Sequence, residues 1–210
     1  MAKVFIEEST LTSIGNSIRN KTGKTDLIDP LYMSAEIDSI GGGSGRDAEE
    51  MLKGIIELTI TDLVIPEGIE KIGDAVFSSK TQIVTVTIPA SVTSIGVSAF
   101  ASSNNITRFT FASGSQLQTI GNYAFRYCTK LTSITIPASV TSIGSYALAM
   151  GSTSTSQKST ITMLSETPPT IESNTFDTTK LKKIRIPAAA SIAYANANVW
   201  STLTSYFVTY

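Results

Sequence analysis

The 210-residue chain contains no histidine, a single cysteine, a single tryptophan and only 16% charged residues. Without histidine there is no Ser-His-Asp or Cys-His nucleophilic mechanism, no histidine general base and no His-containing zinc site. One cysteine, Cys128, excludes an intrachain disulfide and any Cys-rich zinc or iron–sulfur cluster. No stretch approaches the ~20 consecutive apolar residues of a membrane-spanning helix. The opening MAKVFIEES lacks the apolar run and small-residue cleavage site of a secretory signal. Sixteen Lys and Arg against 17 Asp and Glu leave a net charge of −1, a balance unsuited to neutralising a phosphate backbone. The composition thus points away from catalysis, cofactors, nucleic acid and membrane insertion. A hydrophobic share of 41% is nevertheless enough for a sizeable core.

The chain divides at a Gly-rich linker, residues 41–45, which is conformationally permissive. Before it, residues 1–40 carry Leu11, Ile14 and Ile18 at helical spacing, and Met33, Ile37 and Ile40 in a second short stripe. Two short helices are predicted there. Residues 46–57 read as a further helix, with Asp47, Glu49 and Glu50 at the amino end that the helix dipole favours for negative charge. Its apolar stripe over 51–56 serves either to cap the first repeat or to join protomers in a symmetric oligomer, for which a trimer is the expectation.

From residue 58 to 200 the sequence repeats. IPEGIEKIGDAVF from Ile65, IPASVTSIGVSAF from Ile88 and IPASVTSIGSYAL from Ile136 align without gaps, and LQTIGNYAF from Leu117 supplies half of another copy. Each copy opens on apolar residues in an x-x-apolar-x-apolar rhythm: Leu63 and Ile65, Val86 and Ile88, Phe109 and Phe111, Ile134 and Ile136, Ile161 and Met163, Ile184 and Ile186. The last of each pair recurs at intervals of 23 to 27 residues, which makes six copies. Strand alternation turns each pair inward and the residues between them outward. The Ile-Gly pairs are expected to let the chain turn, because glycine tolerates unusual backbone angles. Phe77, Phe100, Phe125, Leu148 and Phe176 then fill the space behind each strand. The few apolar side chains of one copy cannot offset the entropy of ordering its backbone, so the copies must stack and share a core.

The phrase LTSITIPASVTSIGSYAL from Leu131 resembles the BspA-type leucine-rich repeat. This implies a β-rich (α+β) leucine-rich-repeat solenoid with a small helical amino-terminal segment. It also implies that Cys128, at the Asn/Cys position before a family strand, is a buried structural thiol. ITMLSETPPTI and the ending over 187–210 are similar to the family's penultimate repeat and carboxy-terminal cap, with Trp200 sealing the core. The amino-terminal TLTSIGNSIRNKTGKTDLIDPLYMSAEIDSI resembles a segment of tail and baseplate-associated proteins of Firmicutes phages and prophages. That resemblance implies an attachment segment, other tail proteins as partners, and release by lysis in place of secretion.

Gly23-Lys24-Thr25 is not a P-loop, because the motif needs glycine where Ile18 stands. Paired carboxylates for glycoside hydrolysis must face one cleft. The outward ladders read Asp62, Thr85, Arg108, Ser133, Thr160, Lys183 and Val64, Thr87, Thr110, Thr135, Thr162, Arg185, with one acid among them. Glu67, Glu70 and Asp74 fall on the turn side. The ladders are the candidate binding face, and hydroxyls there both donate and accept. Arg108, Lys183 and Arg185 suit an acidic glycan. The expected function is a tail-associated receptor-binding protein whose repeats contact a bacterial surface glycan or protein. Two alternatives stay open: a structural or decoration element of the tail, and a bacterial surface adhesin.

Overall fold

The computed structural model describes residues 5–6, 61–151 and 158–210. The helices expected within 1–40, the linker 41–45, the helix 46–57 and Gly23-Lys24-Thr25 lie outside the described residues. Each copy of the repeat forms one coil of a solenoid. A coil starts with a longer strand: β2 (Asp62–Val64), β4 (Thr85–Ile88), β6 (Arg108–Phe111), β8 (Ser133–Ile136), β10 (Ser159–Met163) and β12 (Leu181–Ile186). Proline follows β4, β8 and β12 at Pro89, Pro137 and Pro187; lacking an N–H, it cannot extend the ladder. The chain then makes a two-residue strand on the next side of the coil: β3 (Lys71–Ile72), β5 (Ser94–Ile95), β7 (Thr119–Ile120), β9 (Ser142–Ile143) and β11 (Thr170–Ile171). An irregular third side returns to the following coil.

All pairing is parallel and joins equivalent positions of successive coils. The short strands form one sheet, β1-β3-β5-β7-β9-β11, in which β1 (Phe5–Ile6) is an amino-terminal strand that the repeat pattern does not predict. The longer strands form two sheets, β2-β4-β6 and β13-β12-β10-β8, where β13 is Phe207–Thr209. Leu63, Val86 and Phe109 stand in register, as do Ile134, Ile161 and Ile184. These residues are buried, together with Ile72, Ile95, Ile120 and Ile143 from the short strands. Phe77, Phe100 and Phe125 stack behind them, with centroids 5.2 and 5.7 Å apart and rings inclined by 18° and 1°.

The expectation for the Ile-Gly pairs needs correction. The left-handed backbone falls two residues after each glycine, at Ala75, Ser98, Tyr123 and Tyr146. Glycine is required for close approach. A Cβ on Gly121 would lie 2.7 Å from the backbone carbon of Gly96 and from the Val97 nitrogen, and one on Gly96 would lie 2.7 Å from the Gly73 carbonyl carbon. The Ser and Thr residues likewise do more than face outward. The hydroxyls of Thr93, Thr141 and Thr170 donate to the carbonyls of Glu70, Gln118 and Thr141 in the preceding coil, at 3.0–3.2 Å. Ser103 donates to the Phe77 carbonyl at 2.6 Å, and Cys128, one coil later, donates to that of Phe100 at 3.1 Å.

Beyond β12, helix α1 (Ser191–Asn196) and a 3-10 segment over Val199–Tyr206 close the core. Trp200 is 2% exposed, packs edge-on to Tyr194 at 4.9 Å and donates its Nε1–H to the Pro169 carbonyl at 2.7 Å. It seals the end of the core, as the resemblance implied. Tyr194 donates its hydroxyl to the Ser165 carbonyl at 3.1 Å, and burial pushes its pKa up.

Two predictions follow from this packing. Gly121→Ala should cost about 3 kcal/mol through backbone overpacking, lowering the melting temperature by about 6–12 °C. Gly114→Ala, where nothing lies within 4 Å and only the φ of +73° is offended, should cost about 1 kcal/mol; thermal denaturation compares them. Burial also pushes the Cys128 thiol from about 9 up to about 12. Its folded-state pKa exceeds its unfolded one, so its contribution is complete below pH 9 and is lost as pH rises towards 12. Urea titrations at pH 8 and above pH 10 should show a shallower alkaline decline for Cys128→Ser than for the parent. In the native parent at neutral pH, Cys128 should resist iodoacetamide until the protein unfolds.

Candidate functional site

The outward rows have the register expected from the repeat. Asp62 pairs with Thr85 and Thr85 with Arg108; Ser133 pairs with Thr160 and Thr160 with Lys183. In the second row Val64, Thr87 and Thr110 align, as do Thr135, Thr162 and Arg185. Arg108, Thr110, Ser133 and Thr135 are exposed, whereas Thr85, Thr87, Thr160, Thr162, Lys183 and Arg185 are half-buried. β13 adds Val208 beside Arg185. The Arg185 guanidinium lies 5.0 Å from the centre of the Tyr210 ring, whose hydroxyl donates to the Met163 carbonyl at 2.8 Å.

Two carboxylates of the first coil, Asp62 and Asp74, are tied to structural partners. Asp62 accepts from the Thr85 hydroxyl at 2.6 Å and from that of Thr61 at 3.2 Å. Asp74 accepts from the Val97 N–H at 2.6 Å, in the way that Asn122 accepts from the Ser145 N–H at 2.9 Å two coils later. Among the described residues no group of three His, Cys, Asp or Glu side chains is placed to hold a metal ion. Among the described outward strand positions, Asp62 is the one acid.

The face is not one continuous sheet, because the ladder is interrupted between β6 and β8. Nine residues separate Phe111 from Ile120 where seven separate Ile88 from Ile95. The two extra residues sit in the loop after β6, which turns at Gly114 with φ +73°. Beside it opens a depression of about 450 Å³. Thr110 and Thr135 line it from the two flanking strands, Phe109, Phe111 and Pro137 supply apolar lining, and Leu164 stands at its edge with 45% exposure.

The same displacement orphans a hydroxyl. In the second coil Ser91 donates to the Ile69 carbonyl at 2.8 Å and accepts from the Gly68 N–H at 3.0 Å. Ser139 holds the equivalent place in the IPASV phrase of the fourth coil, but the coil before it carries the longer loop. Its Oγ is buried without a hydrogen-bond partner among the described residues and borders the depression. Such a group costs about 1–3 kcal/mol until something satisfies it.

The outward position of Thr110 and Thr135 beside the depression follows from the repeat pattern. The presence of Phe111, Ser139 and Leu164 there does not, although the 25-residue interval between Phe111 and Ile136 is the sequence trace of the break.

Residues 56–167 match the family model for the BspA type leucine-rich repeat region (6 copies). No curated protein matches the chain significantly. Among solved structures, it is similar to a leucine-rich repeat protein from Bacteroides capillosus, at 23% identity over 61% of this chain and 78% of that one, with a TM-score of 0.40. It is also similar to the pneumococcal vaccine antigen PcpA, at 22% identity over 63% of this chain and 30% of that one, with a TM-score of 0.40. A leucine-rich cell surface protein from Faecalibacterium prausnitzii matches at 20% identity over 71% of this chain and 48% of that one, with a TM-score of 0.37. The chain therefore spans less than half the length of the last two. With its six coils in parallel register and a family model that covers more than half of its residues, the chain belongs to the BspA-type leucine-rich repeat family.

Proposed function

We propose that this chain is a non-catalytic binding protein that holds a bacterial surface component, a glycan or a protein, against the outward face of its longer strands. The depression between β6 and β8 carries this reading. It places the Thr110 and Thr135 hydroxyls, the unpartnered Ser139 hydroxyl and the apolar Phe111 and Leu164 around one recess. A recess that mixes hydroxyl-bearing and apolar lining is what a ligand site needs. Arg108 in the first row, with Lys183 and Arg185 further along the face, adds attraction for an acidic ligand.

For the setting, we favour a bacterial surface adhesin. Its binding role rests on the repeat face alone. A tail-associated receptor-binding protein requires the amino-terminal attachment segment as well, and that part rests on a resemblance of residues 10–40.

Thr110→Glu combined with Thr135→Glu should reduce binding of the labelled protein to isolated Firmicutes cell walls at least tenfold. The circular dichroism melt should be unchanged, since both side chains are exposed. Cell-wall binding that survives both substitutions would rule out this face. Binding to purified phage tails without any affinity for cell walls would move the protein to the tail setting.

A further inference from the structure

The third side of the coil, which carries neither sheet, holds a cluster of aromatic residues at backbone positions that do not suit them. One left-handed position recurs in the first four coils and a second in the first three. The first is occupied by Ala75, Ser98, Tyr123 and Tyr146, with φ between 53° and 61°, and the second by Ser79, Ser102 and Tyr127, with φ between 58° and 60°. The backbone role is the same in each case. The N–H groups of Ala75, Ser98, Tyr123 and Tyr146 donate to the carbonyls of Val97, Asn122, Ser145 and Asn174 in the following coil. Small residues meet that demand in the first two coils. Bulky residues are disfavoured in this region of backbone space, yet in the third and fourth coils tyrosine stands there three times.

Burial does not compensate for that strain. Tyr127 and Tyr146 remain 41% and 36% exposed. The rings of Tyr123 and Tyr146 are instead stacked on the surface, 5.5 Å apart and 7° from parallel. Arg126 lies across the group, with its guanidinium carbon 4.4 Å from the Tyr127 ring centre, 5.1 Å from that of Tyr146 and 5.2 Å from that of Tyr123. One Nη donates to the Tyr127 hydroxyl at 2.7 Å. No carboxylate of the described residues forms an ion pair with Arg126. The guanidinium is thereby held in one orientation with donors to spare, so little further ordering is needed when an anion meets it. The backbone of Ser98, Ser102 and Ser145 is hydrogen-bonded to that of Asn122, Arg126 and Tyr123 in the adjacent coil, so the residues next to the cluster across the coil boundary are polar.

We propose that Tyr123, Arg126, Tyr127 and Tyr146 form a second binding site, separate from the strand face, for a saccharide that carries a carboxylate. The apolar C–H face of a pyranose packs on a tyrosine ring, its carboxylate meets Arg126, and the tyrosine hydroxyls are donors and acceptors for its own hydroxyls. A protein partner fits less well, because the platform is a few side chains wide and has a polar surround, whereas a stable protein interface buries about 800 Å² per partner.

The test uses the full chain and two probes, a galacturonic acid hexasaccharide and neutral maltohexaose, by isothermal titration calorimetry. The parent should bind the acidic probe and bind the neutral one at least fivefold more weakly. Replacing Tyr123, Tyr127 and Tyr146 by Ser, the residue of the second coil at both positions, should abolish binding while leaving the melting temperature equal or higher. Arg126→Gln should erase the preference for the acidic probe, and the Thr110→Glu, Thr135→Glu variant should bind like the parent. Three results would overturn the proposal: no binding of the acidic probe, equal binding of both probes by the parent, or a triple-Ser variant that melts well below it. The last would make the tyrosines structural.

Discussion

The spacing between coils is the constraint on which everything else here depends. Adjacent parallel strands lie about 4.8 Å apart, and at that distance each coil supplies the hydrogen-bond partners that its neighbour's backbone would otherwise lack. The N–H groups of Phe77, Phe100 and Phe125 donate to Ala99, Ala124 and Ala147 at 2.8–2.9 Å, each across one coil boundary. The same spacing stacks the phenylalanines and forbids a Cβ at Gly96 and Gly121. It also sets the reach of the Ser, Thr and Cys side chains that donate to the preceding coil. No single coil could satisfy these groups alone, so order in one depends on order in the next.

Much of this is legible in the residues. Strand alternation and a period near 23 residues are enough to assign the inward apolar pairs, the outward ladders and the phenylalanines behind them, because each follows from geometry that recurs identically. The remainder comes from effects that a linear pattern does not carry. The Ile-Gly phrase looks like a backbone-angle requirement, but glycine serves the neighbouring coil, and the unusual angles fall on Ala, Ser and Tyr. The abundance of Ser and Thr suggests a hydroxylated surface, yet Thr93, Ser103 and Thr141 spend their hydroxyls between coils. The strand over Phe5–Ile6 follows from no repeat at all. Pairing in register with a distant segment leaves little trace in a two-residue stretch.

The candidate site shows the same division. Thr110 and Thr135 could be placed because they occupy positions that the repeat defines. The recess between them depends on how one irregular coil sits against the next, and Ser139 lost its partners for a reason located in residues 112–116. A regular element is readable from its own residues; a mismatch between two elements is readable only from both.

The loop after β6 therefore shows where such a scaffold can vary. A loop two residues longer than its equivalents lies where the sheet parts, the recess opens and a hydroxyl stands unpartnered, while Phe100, Phe109 and Phe125 pack at 4.8–5.7 Å. Changes of specificity in a scaffold of this kind can accumulate through loop length, repeat by repeat, without any substitution in the interior.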